Sequence, residues 1–244
     1  PMAADVPAFG DVITPEIGRR LSLLKNVSVR EKALNSDLIF RNEKRGRVAF
    51  LGGSITEMNG YRPMVCEYLQ KKYPETEFDF VAAGIASTTS DVGAFRLKTD
   101  VLKNGPVDLF FVEFAVNDDV DGHFDLTHSI RGMEGIIRRM RLENPNVDIF
   151  MMFFVDEHKI DLYRKDEIST SIQAHTAVAE RYGVTTLNFA KEVQERIDDK
   201  KLTWAEFGGV HPAPAGNRLC ADIVEAAHWS STRRVGNPFS YPNE

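Results

Sequence analysis

The sequence predicts an α/β domain built on a mostly parallel sheet. Short apolar runs alternate with longer stretches of helical periodicity, which is the pattern of stacked βα units. The helical stretches end in Tyr73-Pro74, Asn104-Gly105-Pro106, Asn144-Pro145-Asn146 and Tyr182-Gly183, breaks that stand just before the apolar runs. With 244 residues, 43% of them apolar, the chain can fill one full core.

Residues 1–45 stand outside the alternation and read as an N-terminal extension packed on a domain spanning 46–244. Within the extension, Leu21–Val29 and Leu38–Phe40 are candidates for a short antiparallel piece or an arm over the sheet. The charged run Asp37–Arg47 reads as exposed. Five strand candidates follow: Arg47–Leu51, Phe78–Ala82, Leu109–Phe114, Ile149–Val155 and Thr185–Asn188. Apolar runs of this length suit strands buried on both faces. Helix candidates between and after them are Tyr61–Tyr73, Thr89–Lys103, Ser129–Glu143, Asp166–Tyr182, Ala190–Asp198 and Ala215–Trp229.

The net charge of −6 argues against a nucleic-acid or anionic-membrane binder, since phosphate recognition needs a clustered positive surface. The basic run Arg138-Arg139-Met140-Arg141 fits the solvated face of a helix. No apolar stretch approaches the ~20 residues of a membrane span. Cys66 and Cys220 lack metal-ligand spacing and read as buried free thiols. No leader is visible from Pro1 onward, so two compartments stay open. The chain is secreted or periplasmic if a leader has been removed, and cytoplasmic otherwise.

Ligands of open α/β sheets bind at the carboxyl ends of strands, so the residues after each strand matter most. The first strand runs into Gly52-Gly53-Ser54-Ile55-Thr56, and the second into Gly84-Ile85-Ala86-Ser87-Thr88. The third is followed by Asn117-Asp118, and Gly208-Gly209-Val210-His211-Pro212 precedes the last helix. Each piece alone has a plain reading: Ser54 a helix cap, Gly84 a turn glycine, Asn117 and His211 loop residues. Together they offer a nucleophile in Ser54 and a base in His211. The N–H groups of Ser54 and Gly84 and the Asn117 amide would be oxyanion donors. No cofactor or metal is required. A phosphate loop is disfavoured, because the first turn lacks Gly-x-x-x-x-Gly-Lys-[Ser/Thr].

Gly52-Gly53-Ser54-Ile55-Thr56, Gly84, Val116-Asn117-Asp118 and His211-Pro212 resemble the four blocks of the SGNH (GDSL-like) hydrolases. The likeness runs from about Val48 to Ala227. It implies a flavodoxin-like three-layer α/β/α sandwich with a five-stranded sheet. It also implies a serine esterase with Ser54 as nucleophile, His211 as base, and Ser54, Gly84 and Asn117 as the oxyanion hole. The implied substrate is a small-molecule or oligosaccharide ester, most simply an acetyl group on a carbohydrate.

Two positions depart from the family pattern. Gly53 stands where the family has Asp, which removes a side-chain hydrogen bond near the nucleophile. Gly208 stands where the triad acid belongs, three residues before His211. Either Ser54 and His211 form a dyad, or another carboxylate substitutes. Glu206 is the nearest candidate, with Asp118 or Asp119 a weaker one.

Candidate substrate contacts are Gly53, Tyr61, Asp118, Trp204 and Phe207, with the aromatics suited to a sugar face or an acyl slot. Glu57 fits the positive end of a helix dipole. Glu113, inside an apolar strand, needs a partner such as Arg62 or Arg96. Asp156-Glu157-His158 reaches the same rim without a metal-ligand spacing. The alternative functions are a non-catalytic carbohydrate-binding or scaffold protein on the same fold, and a lysophospholipase or thioesterase.

Overall fold

The computed structural model describes residues 14–232. It opens with helix α1 (Pro15–Ser22), strand β1 (Val27–Ser28) and helix α2 (Leu34–Asn42). The βα alternation begins at β2 (Arg45–Gly52), followed by α3 (Ser54–Glu57), α4 (Tyr61–Lys72), β3 (Glu77–Gly84) and α5 (Ser90–Asp100). Next come β4 (Leu109–Val112), α6 (Ala115–Val120), α7 (Leu126–Glu143), β5 (Asp148–Phe153) and α8 (Glu157–Tyr163). The described chain closes with α9 (Thr170–Tyr182), β6 (Thr185–Asn188), α10 (Phe189–Asp198), α11 (Trp204–Phe207) and α12 (Pro214–Ser231).

The sheet has six strands in the order β1-β6-β5-β4-β2-β3. β1 pairs antiparallel with β6, and every other pairing is parallel. The five strands expected from the sequence are the parallel ones, and the short antiparallel piece within Leu21–Val29 is a sixth at the edge. Among the parallel strands the spatial order is second, first, third, fourth, fifth, which is the flavodoxin-like winding. Its direction reverses between β2 and β4, and the ends of those two strands are where ligands of such folds bind.

β4 is apolar throughout and β5 is apolar after Asp148, as suits strands with helices on both faces. β4 and β5 are buried at every residue. Phe111 stacks between Phe50 and Phe150 with ring centroids 4.9 and 5.5 Å away, a ladder across three adjacent strands. Burial of each such ring contributes on the order of 2–3 kcal/mol.

Several local expectations change. Asp37 is buried rather than exposed, accepting a hydrogen bond from the Tyr73 hydroxyl at 2.6 Å and pairing with Arg41. The helix expected from Asp166 starts at Thr170, since Asp166 takes a left-handed φ of 58°. The short helices α3, α6, α8 and α11 have four to seven residues, too few to register as a helical period. Cys66 and Cys220 are free thiols, and burial pushes the Cys66 thiol up to about 11. No helix among the described residues is long and apolar enough to cross a membrane.

Candidate active site

β2 delivers Ser54 to these strand ends. The strand ends in Gly52, Gly53 turns the chain, and Ser54 opens α3, with the Glu57 N–H closing on Gly53 O at 3.0 Å. As the first helical residue, Ser54 has an N–H without an intrahelical acceptor. Its hydroxyl oxygen lies 2.8 Å from Nε2 of His211, 157 residues along the chain. Ser54 is half-buried and His211 exposed, so the pair meets at the protein surface.

The loop bearing His211 is fixed from both sides. Ala213 N–H donates to Phe207 O at 2.8 Å, and the Asn217 side-chain amide donates to Pro212 O at 2.5 Å. Gly208 ends α11 at φ 103°, and a Cβ there would sit 2.0 Å from Ala213 N. The turn that presents His211 therefore leaves no room for a carboxylate at 208. Glu206 does not replace it. Its carboxylate accepts from the Thr203 N–H and hydroxyl, both at 2.8 Å, closing a capping box on α11. Those bonds hold its pKa below the usual range. Among the described residues, His211 has Ser54 as its one hydrogen-bond partner.

The other rim residues converge on the same turn. A Cβ on Gly84 would lie 2.1 Å from Glu57 N, so the end of β3 runs directly against α3. A Cβ on Gly53 would lie 2.3 Å from Asn117 Oδ1, which places the Asn117 amide beside the nucleophile turn. Asn117 Nδ2 donates to Asp121 Oδ2 at 2.9 Å, which fixes the orientation of the amide.

A model of the GDSL-like lipase/acylhydrolase family matches residues 50–219, more than half of the chain. The chain belongs to this family. No curated protein is similar enough to match. Among solved structures, a two-domain esterase active on acetylated mannans is 23% identical, with a TM-score of 0.66 over 88% of this chain. The GDSL-like chain spans 58% of that esterase's length. LAE5, an alpha/beta hydrolase enzyme from the metagenome of Lake Arreo, Spain, is 20% identical, with a TM-score of 0.62, covering 78% of this chain and 97% of its own. A variant of Axe2, an acetyl xylan esterase from Geobacillus stearothermophilus, is 24% identical, with a TM-score of 0.57, covering 74% and 94%. These likenesses show a common SGNH-type α/β fold.

Several candidate contacts of this GDSL-like chain lie elsewhere than the sequence suggests. Asp118 is fully buried and accepts from Ser90 N, Ser90 Oγ and Ser129 Oγ at 2.7–2.8 Å, with His175 Nε2 3.0 Å away. It ties α6 to α5, α7 and α9, so it neither faces the mouth nor serves His211. Asp119 is likewise engaged, by Lys159 Nζ at 2.7 Å and the Ser171 N–H and hydroxyl. Tyr61 is buried beneath the nucleophile turn with its hydroxyl 2.9 Å from Thr56 Oγ1, and Phe207 is a core side chain. Trp204 stays half-buried, stacked on Phe207 at 5.8 Å. Asp156 caps α8 and binds Lys159 Nζ at 2.6 Å, which is a structural role.

Glu113 is the residue whose part the sequence missed. It makes no ion pair with Arg62 or Arg96; its Oε1 accepts from Gly53 N at 2.8 Å and Thr56 Oγ1 at 2.7 Å. The signal was present in an acidic residue set within an apolar strand just before Asn117, but its partners are a backbone N–H and a hydroxyl, which a search for opposite charges overlooks.

Proposed function

We propose that the chain is a serine carboxylic-ester hydrolase working through a Ser54–His211 dyad, with acetyl groups on carbohydrate as its substrates. The observation that carries this reading is the 2.8 Å approach of Ser54 Oγ to His211 Nε2 at the strand ends of a GDSL-like fold. Ser54 Oγ attacks the ester carbonyl carbon as His211 Nε2 takes its proton. The carbonyl oxygen becomes an oxyanion held by the Ser54 and Gly84 N–H groups and the Asn117 amide. Collapse breaks the bond to the leaving alkoxide, which takes the proton from His211 and departs as the sugar hydroxyl. Water, deprotonated by His211, then attacks the acyl-enzyme; acetate leaves and Ser54 regains its proton. Among the described residues no carboxylate reaches the imidazole, and the exposed ring is open to hydrogen bonding by solvent.

A dyad open to solvent suits a small acyl group on a bulky, hydrophilic alcohol, and Trp204 offers a face for a sugar ring. The similar esterases with activity on acetylated mannans and xylan point the same way. The missing acid favours a second reading, a carbohydrate-binding protein without turnover. Acetate release from acetylated manno- and xylo-oligosaccharides, compared with phospholipid and thioester hydrolysis, separates these readings. The proposal expects release from the oligosaccharides that Ser54→Ala abolishes. Release that survives Ser54→Ala, or none from any acetylated sugar, contradicts it.

A further inference from the structure

Gly52 and Gly53 precede Ser54, and neither has a side chain to restrict its torsions. The peptide group between them is nevertheless gripped at both ends. Its carbonyl oxygen, Gly52 O, accepts from Arg96 Nη2 at 3.0 Å and from Ile85 N at 3.1 Å. Its N–H, on Gly53, donates to Glu113 Oε1 at 2.8 Å. Arg96 and Glu113 thus face each other across one peptide unit, a cation at its oxygen and a carboxylate at its N–H. A Cβ on Gly52 would lie 2.0 Å from Glu113 Oε1, so the carboxylate fills the space a side chain would need.

We propose that Arg96 and Glu113 are positioning residues that act as one unit, clamping the Gly52–Gly53 peptide so that the Ser54 hydroxyl and N–H point at the ester. This rests on the esterase reading and assigns the support of its nucleophile. Three further observations favour the clamp. The bond from Arg96 is charge-assisted, the bond to Glu113 becomes so once its carboxyl ionises, and two bonds at opposite ends of one conjugated amide polarise it in the same sense. Glu113 also accepts from Thr56 Oγ1, so its carboxylate holds the chain on both sides of Ser54. Arg96 is itself braced by Asp100 Oδ2 at 3.1 Å on α5. Burial pushes the Glu113 carboxyl up to about 7, while the bonds from Thr56 and Gly53 oppose that shift and favour the ionised form.

The test is a double-mutant cycle of Arg96→Met and Glu113→Gln read with p-nitrophenyl acetate, together with the Gly53 amide proton shift. Each single variant is expected to lower kcat by roughly 30-fold with KM within about threefold, and the double variant to be no more than about threefold worse than the worse single. Losses that multiply, or folded single variants within about threefold of wild type, overturn the proposal. The amide shift, measured in a Ser54→Ala background, does not depend on catalysis. Arg96→Met should move it upfield although Arg96 never touches that N–H, and an unmoved shift overturns the clamp. If Arg96→Met does not fold, Arg96→Lys is read the same way, with a smaller upfield move expected and none contradicting. Should Ser54→Ala leave turnover intact, the esterase reading fails, while the shift still decides the clamp.

Discussion

A Cβ on Gly208 would stand 2.0 Å from the backbone nitrogen of Ala213. That approach explains why His211 lacks an acid three residues upstream. The turn runs through φ 103° at Gly208 and returns the Ala213 N–H to Phe207 O, so it is built around the absence of a side chain. Restoring the family's Asp by Gly208→Asp is expected to cost roughly 2–4 kcal/mol of stability, from a strained φ and overpacking. It should not raise kcat. Chemical denaturation with parallel turnover assays checks this, and a stable variant at least about tenfold faster would contradict it.

Glu206 gives a companion test. Its carboxylate is committed to Thr203, so Glu206→Gln should leave kcat within about threefold of wild type. A fall of several orders of magnitude would instead make it the third member of a triad.

Asp118→Asn distinguishes framework from substrate contact. The new amide would set a donor against the Ser90 and Ser129 hydroxyls that now donate to Asp118 Oδ2. A loss of roughly 2–3 kcal/mol is expected, with KM for an acetylated sugar unchanged. A raised KM at undiminished stability would return Asp118 to the binding surface.

Glu113 makes stability depend on pH. An unfolded Glu loses its proton near ~4.3, whereas burial keeps the folded Glu113 protonated up to about 7. The native state binds more protons in this window, so the contribution is full below about 4.5 and is lost as pH rises through about 7. Relative to Glu113→Gln, wild type should lose up to roughly 3 kcal/mol between pH 4.5 and 8. Urea unfolding of both proteins across that range measures it. Asp148, pushed up to about 6 by burial, slopes the same way in both and cancels in the difference. Parallel curves for the two proteins would refute the assignment.

The parts of the molecule legible in the sequence are those set by periodicity and punctuation. Val48–Leu51 reads as a buried strand because it is apolar throughout, and the glycines after it mark where the sheet ends. Ser54 stood out because it follows a glycine pair at a strand end, and His211 because it stands in a glycine- and proline-bounded break before the last helix. Less legible was which side of a wall a residue faces. Tyr61 and Phe207 have the composition of pocket aromatics, yet both point inward, a tertiary outcome that no local pattern encodes. Asp118 looked available because its serine and histidine partners come from three other helices. The role of Glu206 was readable, since Thr203-x-x-Glu206 is itself a capping-box pattern. Glu113 was rightly marked as a charge needing a partner, but backbone N–H groups never appear in a list of opposite charges.

The most direct test of an activated serine is covalent. A fluorophosphonate should add once to the folded protein, with peptide mapping placing the adduct on Ser54, and His211→Ala should slow labelling by at least about a hundredfold. A folded protein that takes up no label, or carries it anywhere but Ser54, would contradict the account.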